Sequence, residues 1–270
     1  MRFYHTILMA VLIFFWIWSL PLLMIAAFFA MPSALILLPL SLALSLWMQY
    51  IHHDKIMPEH FLRKYLSYIP WNEWFPCNTL TFEEQAVIAV HPHGLLCCGA
   101  VVGIHFVPGS KTVLCVAPIL FYVPVIGWCL RLLGCIPAHL HIMRETLRRG
   151  FSVVVVPGGV PEIVCAETSD NRKRFPRHGF LRLASSLNMA VCAVYVEGEC
   201  QTFRLIPMPF LEKRIYWSWR LNIPLVFPLV IGWYGLWLPK RVPLLLKKQK
   251  IEHYSKEHYQ SVLDSLMMRI

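Results

Sequence analysis

The feature that most constrains this chain is its uncharged beginning. Between Arg2 and Asp54 the sequence contains no Lys, Arg, Asp or Glu. That interval is too long for one transmembrane helix, which needs about 20 apolar residues. It divides naturally at Pro32, and each half must satisfy its backbone hydrogen bonds internally within lipid. We therefore predict a helical hairpin with one helix over residues 7–30 and a second over residues 34–51.

Basic side chains flank the hairpin on both sides. Arg2 precedes it, and the residues that follow it include His52, His53, Lys55, Arg63 and Lys64. Positive flanks are retained in the cytosol, so we expect both termini there. A cleaved signal peptide is the alternative, but the apolar run is too long for one. We assign residues 1–52 to a membrane anchor, which either crosses the bilayer or lies as a wedge in one leaflet, and residues 53–270 to a separate domain.

The amino-acid composition limits the classes of partner that the chain is expected to bind. The chain is 57% hydrophobic and only 15% charged, with a formal net charge of +10, and its mean hydropathy of +0.54 is high for a soluble domain. The apolar excess favours anionic lipid headgroups or a phosphorylated cosubstrate over nucleic acid, for which no binding motif is present. None of the nine cysteines forms a CxxC pair, so we expect reduced thiols facing the cytosol.

Strand-like and helix-like runs alternate after the hairpin. Strands are predicted over residues 87–90, 112–116, 153–156 and 189–196, and helices over residues 143–149, 179–187 and 251–270. Continuous apolar strands separated by helices predict an α/β fold with a mostly parallel central sheet flanked by helices. Two further uncharged runs, residues 113–130 and 221–239, contain proline and glycine. We assign both to this domain, with a third transmembrane helix as the alternative.

Two histidines follow the first of these strands, in the segment His91-Pro92-His93-Gly94. Histidine is the side chain best suited to act as a base near neutral pH, and sites in such sheets lie beyond the carboxyl ends of the strands. Alternate residues of an extended segment face opposite sides, which disfavours a shared metal ion. We predict a catalytic role and no metal, with two structural histidines as the competing interpretation.

A glycine pair, Gly158 and Gly159, follows another buried strand and precedes Glu162. Backbone N–H groups of the two glycines can stabilise an oxyanion or a phosphate. The carboxylate of Glu162 can orient a histidine or support its imidazolium form. A tight turn with a solvated glutamate is the alternative.

A basic cluster lies further along the chain. Its members include Lys173, Arg174 and Arg177. Arginine suits bidentate contact with phosphate, so the cluster is a candidate for binding a phosphorylated cosubstrate. A solvated loop or a general membrane-surface patch explains it equally well.

The ordered set of motifs resembles the diacylglycerol acyltransferase type 2 family, which includes monoacylglycerol and wax-ester acyltransferases. The resemblance covers about residues 60–265. It is carried chiefly by His91-Pro92-His93-Gly94, by the segment from Pro157 to Glu162, by residues 177–184, by residues 195–199 and by residues 238–243. The uncharged hairpin also resembles the membrane anchor of that family.

The resemblance implies a glycerolipid-acyltransferase-like domain that transfers a fatty acyl group from acyl-CoA, as cosubstrate, to the hydroxyl of a neutral lipid. It implies no cofactor and a site at the endoplasmic reticulum membrane or lipid droplets. Diacylglycerol is the favoured acceptor, which would yield triacylglycerol. Monoacylglycerol, a wax alcohol and a sterol are the alternatives, and a non-enzymatic hairpin protein of lipid droplets is a more distant one. The resemblance leaves open whether the protein forms a homo-oligomer.

On this resemblance a histidine removes the proton of the acceptor hydroxyl. His91 is the favoured base, and His93 is its orienter or an alternative base. In the wider glycerolipid acyltransferases an Asp follows the histidine five positions later, where this chain has Leu96. We therefore expect Glu162 to supply the missing carboxylate. Val90 and Cys200 also depart from the family pattern, which leaves the acceptor more open than the reaction class.

Overall fold

The computed structural model describes five stretches of the chain and six single residues. They are residues 71–123, 126–159, 177–206, 230–232 and 239–268, with Ala43, Trp47, Ser67, Tyr68, Glu162 and Lys213. Apart from Ala43 and Trp47, the predicted hairpin lies outside these residues, so it stays a prediction. Within the described part of the chain, no helix has both the length and the apolar character needed to cross a membrane.

Helices and strands alternate along most of the described chain. The helices are α1 (Trp71–Trp74), α2 (Cys98–Ala100, continued by a π-helix over Val101–His105), α3 (Ile126–Leu132), α4 (Leu140–Arg148), α5 (Gly179–Ser186) and α6 (Lys256–Met268). The strands are β1 (Ala86–His91), β2 (Thr112–Val116), β3 (Ile136–Pro137), β4 (Ser152–Val155), β5 (Ala190–Glu197), β6 (Arg204–Leu205), β7 (Val230–Ile231) and β8 (Leu245–Ile251). Short 3-10 turns cover Pro118–Tyr122 and Glu199–Gln201.

The chain divides into two compact units. The first comprises residues 1–70 and 108–153. In it β2 and β3 pair in parallel, with Cys115 opposite Ile136. The backbone N–H of Ser152 donates to the carbonyl of Lys111 at 2.8 Å, which holds the beginning of β4 beside the beginning of β2.

The second unit comprises residues 71–107 and 154–270 and carries the histidine motif. Its centre is β5, which pairs with β1 in parallel and with β8 antiparallel. All six residues of β1 are buried, as expected for a continuous apolar strand covered on both faces. His91, the last residue of β1, lies opposite Tyr195.

Helix α6 packs on β5 and β8 through one apolar stripe. The stripe consists of Tyr259, Val262, Leu263 and Leu266, all of which are buried. Their spacing of three and four residues places them on one face of the helix, and burying each such side chain stabilises the fold by about 1.5–3 kcal/mol. This packing fixes α6, and with it Tyr259, on the sheet of the second unit.

The α/β class is confirmed, and the sheet of the second unit is mixed, since β5 pairs with β1 in parallel and with β8 antiparallel. Strand β8 was not predicted because Lys247, Lys248 and Lys250 interrupt its apolar residues. The predicted beginning of the last helix is wrong, since Ile251 ends β8 and α6 begins at Lys256.

The other predicted elements are present with small shifts of their ends. The strand over residues 112–116 is confirmed, and the helix predicted over residues 143–149 begins earlier, at Leu140. Residues 113–130 contain most of β2, a 3-10 turn and part of α3, so they do not form one transmembrane helix. Residues 221–239 lie almost wholly outside the described residues.

Candidate active site

His91 is buried at the carboxyl end of β1, with 1% of its surface exposed. A buried imidazole must find hydrogen-bond partners within the protein. Its Nδ1 atom lies 2.8 Å from Oε1 of Glu162, whose exposed fraction is 4%. A carboxylate can only accept, so Nδ1–H of His91 donates to it and Nε2 becomes the acceptor nitrogen. The pair therefore sets the tautomer that a base needs, and the carboxylate stabilises the imidazolium form.

The second nitrogen of His91 also has a partner. The hydroxyl of Tyr259, on α6, donates to Nε2 over 2.7 Å. The Tyr259 side chain is fully buried. Its ring meets Phe180 edge-on at a centroid distance of 5.3 Å and His178 edge-on at 6.3 Å. A phenol, an imidazole and a carboxylate thus form one continuous buried hydrogen-bonded chain.

The other oxygen of Glu162 holds the backbone of the histidine motif. Its Oε2 atom accepts the backbone N–H of His93 at 3.0 Å. This carboxylate lies so close to Gly158 that a Cβ atom at that position would be 1.8 Å from Oε2. Only glycine fits there, and Gly159 beside it has a φ of +58°, a left-handed conformation that glycine adopts without strain. The glycine pair therefore permits the approach of Glu162 to both histidines.

His93 differs from His91 in its surroundings. Its Nδ1–H donates to the carbonyl of Gly94 at 2.6 Å, which leaves Nε2 as the acceptor in the neutral ring. Burial lowers the pKa of His93, although the hydrogen bond to Gly94 and the nearby Glu162 act in the opposite direction. The ring is only partly buried. His93 is therefore a neutral imidazole at pH 7, with one nitrogen able to accept a proton.

A second buried carboxylate, Glu199, lies just beyond β5, with 1% of its surface exposed. Its two oxygens accept the backbone N–H groups of Cys98 and Gly99, each at 2.8 Å. A Cβ atom added to Gly94, whose φ is +53°, would lie 2.4 Å from Oε1 of Glu199. Glu199 thus joins the end of β5 to the segment that follows the histidine motif. Because Gly94 has no side chain, the carboxylate of Glu199 can lie close to the backbone of that motif.

Burial raises the pKa of Glu199 to about 7, and the two N–H donors oppose that shift. The thiols around it stay protonated near neutral pH. Burial raises the pKa of Cys77 to about 12, and Glu199 adds to the effect. Burial and then Glu199 likewise raise the pKa values of Cys97 and Cys98 well above the usual range. Of these four groups, Glu199 is therefore the one that titrates near pH 7.

The structure brings together His91, His93, Gly158 and Glu162, as the sequence predicted for one sheet edge. The side chain of Arg177 is exposed, while its backbone N–H donates to the carbonyl of Pro157 at 3.2 Å. Lys173 and Arg174 lie outside the described residues. In the described stretches, no group of three or more His, Cys, Asp or Glu side chains is arranged to hold a metal ion.

Sequence reasoning missed Tyr259 and Glu199. Tyr259 lies within the predicted last helix, and no role was predicted for it. Glu199 lies inside a segment that carried the family resemblance, but no role was assigned to it. A signal existed for Glu199, because it is a carboxylate placed directly after a long buried strand.

Comparison with known proteins agrees with the motifs. The family model for diacylglycerol acyltransferase matches residues 27–232, more than half of the chain. The chain belongs to the diacylglycerol acyltransferase family. This confirms the resemblance inferred from the sequence. The matched range includes His91, His93, Gly158, Glu162 and Glu199, whereas Tyr259 lies beyond it.

Two curated relatives are similar to the chain at low identity. The chain is 28% identical to human 2-acylglycerol O-acyltransferase 3 over 135 residues, which are 46% of this chain and 40% of that protein. It is 24% identical to mouse diacylglycerol O-acyltransferase 2-like protein 6 over 185 residues, which are 61% of this chain and 55% of that protein. The chain therefore spans about half the length of the curated relatives it matches. No solved structure matches it significantly.

The pKa of Glu199 gives a prediction about stability. Folding raises this pKa from 4.5 to about 7, so the folded state binds the proton more tightly than the unfolded state does. The free energy of unfolding should therefore fall as pH rises above 4.5, and the loss should be complete above pH 7. At about 1.4 kcal/mol per pKa unit, the full effect is about 3 kcal/mol.

We expect Glu199→Gln to remove this dependence. Between pH 5 and 8 the thermal midpoint of the wild type should fall relative to that of the variant, whatever the offset between them at pH 5. The matched control is Glu84→Gln. Glu84 is exposed, and its hydrogen bond to Lys250 lowers its pKa, so it stays ionised over this range. Parallel curves for the wild type and Glu199→Gln would contradict the assignment.

Proposed function

We propose that this chain is a membrane-anchored, acyl-CoA-dependent O-acyltransferase that esterifies a neutral lipid hydroxyl. The observation that carries the proposal is the buried pair of His91 and Glu162, joined over 2.8 Å at the end of β1. A histidine whose tautomer is fixed by a carboxylate is suited to act as a general base on a hydroxyl. Membership of the diacylglycerol acyltransferase family supports acyl transfer as the reaction.

The proposed reaction needs no metal and no covalent enzyme intermediate. His91 accepts the proton of the lipid hydroxyl while the oxygen attacks the thioester carbonyl of acyl-CoA. The tetrahedral intermediate then collapses, the carbon–sulfur bond breaks, and the CoA thiolate receives the proton from the imidazolium. The products are the lipid ester and CoA. Glu162 stabilises the imidazolium during the step, as a buried carboxylate does for a catalytic histidine.

The remaining predicted residues have supporting roles in this proposal. The backbone N–H groups of Gly158 and Gly159 are candidates for stabilising the oxyanion. Arg177, with Lys173 and Arg174, is a candidate for binding the phosphates of CoA, for which the exposed position of Arg177 is suitable. His93, neutral at pH 7, is an orienter or an alternative base.

An acylglycerol is the proposed acceptor. The two relatives are named for 2-acylglycerol and for diacylglycerol, which supports this class over a wax alcohol or a sterol. We place diacylglycerol first, which yields triacylglycerol. The hairpin over residues 1–52 would hold the enzyme at the endoplasmic reticulum or lipid-droplet surface, with both termini in the cytosol and the acceptor dissolved in the same membrane.

The direct test supplies labelled acyl-CoA to microsomes that contain the full chain, together with one acceptor at a time. The acceptors are diacylglycerol, 2-monoacylglycerol, hexadecanol and cholesterol, and the neutral lipids are separated by chromatography. We expect labelled triacylglycerol above the level in microsomes that contain the His91→Ala variant at equal abundance. If the label appears only in another ester, the acceptor is the lipid that forms that ester and not diacylglycerol. No labelled ester from any acceptor, with the protein present on lipid droplets, would favour the non-enzymatic hairpin protein.

A further inference from the structure

The loop between the histidine motif and α2 is built around a buried carboxylate. That carboxylate belongs to Glu199, which lies beyond the end of β5 and is 1% exposed. Its Oε1 atom accepts the backbone N–H of Cys98 and its Oε2 atom accepts that of Gly99, each at 2.8 Å. A Cβ atom at Gly94 would lie 2.4 Å from the same Oε1 atom. One side chain therefore lies against both the beginning and the end of this loop.

His93 is the residue next to this loop to which the proposed function gives a role. Its imidazole is only partly buried, and its Nδ1–H donates to the carbonyl of Gly94 at 2.6 Å. The Sγ atom of Cys97 lies 3.5 Å from the same nitrogen. Gly94 packs against Glu199, and Cys97 directly precedes a residue whose N–H donates to Glu199. The backbone that Glu199 holds thus also carries the groups that orient the His93 ring.

We propose that Glu199 is a positioning residue for the reaction, because it holds the loop that orients the imidazole of His93, an inference that rests on the proposed function. Glu199 touches neither substrate and acts through His93. The loop needs such a hold, since Gly94 and Cys97 both have left-handed conformations, with φ values of +53° and +51°. A non-glycine residue keeps that conformation only where its surroundings fix it. The hydrogen bonds from the two residues after Cys97 to Glu199 provide this constraint.

The backbone of Glu199 is itself fixed. The buried hydroxyl of Thr202 donates to the carbonyl of Glu199 at 2.7 Å. The carbonyl of Thr202 in turn accepts the backbone N–H of Lys240 at 2.8 Å. A carboxylate that is mounted on such a turn can set the position of the loop, as a supporting residue must do for a functional side chain.

The opposing interpretation is that Glu199 only stabilises the beginning of α2. Its oxygens accept the first N–H groups of that helix, which is a stabilising arrangement for a carboxylate in any helix. The two interpretations differ in whether the effect of Glu199 depends on the imidazole of His93. A purely structural role predicts the same loss of activity with and without that imidazole, whereas a positioning role predicts no loss once the imidazole is absent.

The first measurement is kcat and KM of Glu199→Gln in microsomes at pH 8, above the pKa of about 7 of the wild-type carboxyl. The amide keeps the size of the side chain, but its NH2 group cannot accept a backbone N–H. We expect kcat per folded protein to fall about 10- to 100-fold, because a misplacement of about 1 Å costs up to about 100-fold in rate. The KM for acyl-CoA should be unchanged. An unchanged kcat, or a loss expressed in KM instead, would overturn the inference.

The second measurement repeats the substitution in the His93→Ala variant. If Glu199 acts through His93, the double variant should have the kcat of His93→Ala within about twofold, since the effects of coupled residues are not additive. Equal losses in both backgrounds would show a structural role and overturn the inference. Wild-type kcat in His93→Ala would also overturn it. If His93→Ala is too inactive for the comparison, the kcat and KM of Glu199→Gln decide.

Glu197→Gln is the matched control. Glu197 is the last residue of β5, and its side chain is 40% exposed and lies 3.1 Å from Nζ of Lys247. The control therefore removes a carboxylate charge and an ion pair two positions before Glu199. We expect it to retain wild-type kcat, and an equal loss in both variants would contradict a specific role for Glu199.

Two outcomes separate this inference from the proposed function. If the wild type forms no ester, the proposed function fails and the inference with it. If the wild type is active, His91→Ala is inactive and Glu199→Gln retains wild-type kcat, the inference alone fails. Should Glu199→Gln not accumulate, Gly94→Ala disturbs the same contact from the loop side, since its Cβ atom would lie 2.4 Å from Oε1. The same loss of kcat at constant KM is then expected, and wild-type kcat in Gly94→Ala overturns the inference.

Discussion

Replacing His91 with alanine is expected to lower the rate of acyl-CoA-dependent ester formation by about 10³-fold or more, because the variant loses the proposed base, which the carboxylate of Glu162 contacts. The measurement is the initial rate of labelled triacylglycerol formation in microsomes, normalised to the amount of protein. The KM for acyl-CoA should change little, since the imidazole is buried and is not proposed to bind CoA. His141→Ala is the matched control, because His141 is exposed on α4.

The parallel variant His93→Ala distinguishes the two histidines. It removes the imidazole but keeps the backbone N–H that donates to Glu162, so the position of the carboxylate is retained. We expect a smaller loss of activity than in His91→Ala. The opposite order would assign the base to His93, whose Nε2 can also accept a proton. Near-normal activity in both variants would exclude His91 and His93 as the base.

Replacing Glu162 with glutamine is the second change with a large expected effect. The substitution keeps the size of the side chain but removes the charge that stabilises the imidazolium form of His91. It also supplies an N–H donor, so the tautomer of His91 is no longer set. We expect kcat to fall about 10²- to 10⁴-fold, the range measured when a catalytic histidine loses its base function or its carboxylate.

A control for Glu162→Gln is available on the surface. Glu145 pairs with Arg149 on α4, and both side chains are more than 40% exposed. Glu145→Gln removes the same charge at an exposed position and should leave kcat unchanged. Glu162→Asp adds a graded test, because the shorter side chain cannot reach both His91 and the backbone of His93. If Glu162→Gln kept more than half of the wild-type kcat, the carboxylate would not serve the base.

Several strands could be predicted from the sequence because the residues that indicate them are neighbours in the chain. Strand β1 and most of β4 are continuous apolar runs, so both strands could be predicted from the sequence. Because sites lie beyond the carboxyl ends of such strands, the ends of β1 and β4 indicated the position of the site. The absence of an acidic residue at Leu96 led to Glu162 as the carboxylate partner, and the structure places its Oε1 against His91. Strand β8 escaped prediction because its lysines resemble a solvated loop, and only pairing with β5 makes the segment extended.

By itself, the sequence determined the family, the uncharged stretch between Arg2 and Asp54 and the imidazole at the end of a buried strand. These features depend on composition and on residues that are neighbours in the chain. Glu162 was expected from the sequence as the carboxylate partner, but only the tertiary structure shows that it contacts Nδ1 of that imidazole and that Tyr259 contacts Nε2. Glu162 lies 71 residues from His91, and Tyr259 lies 168 residues away. Contacts over such separations follow from how α6 packs on the sheet and how closely Glu162 approaches Gly158, and no local pattern encodes them.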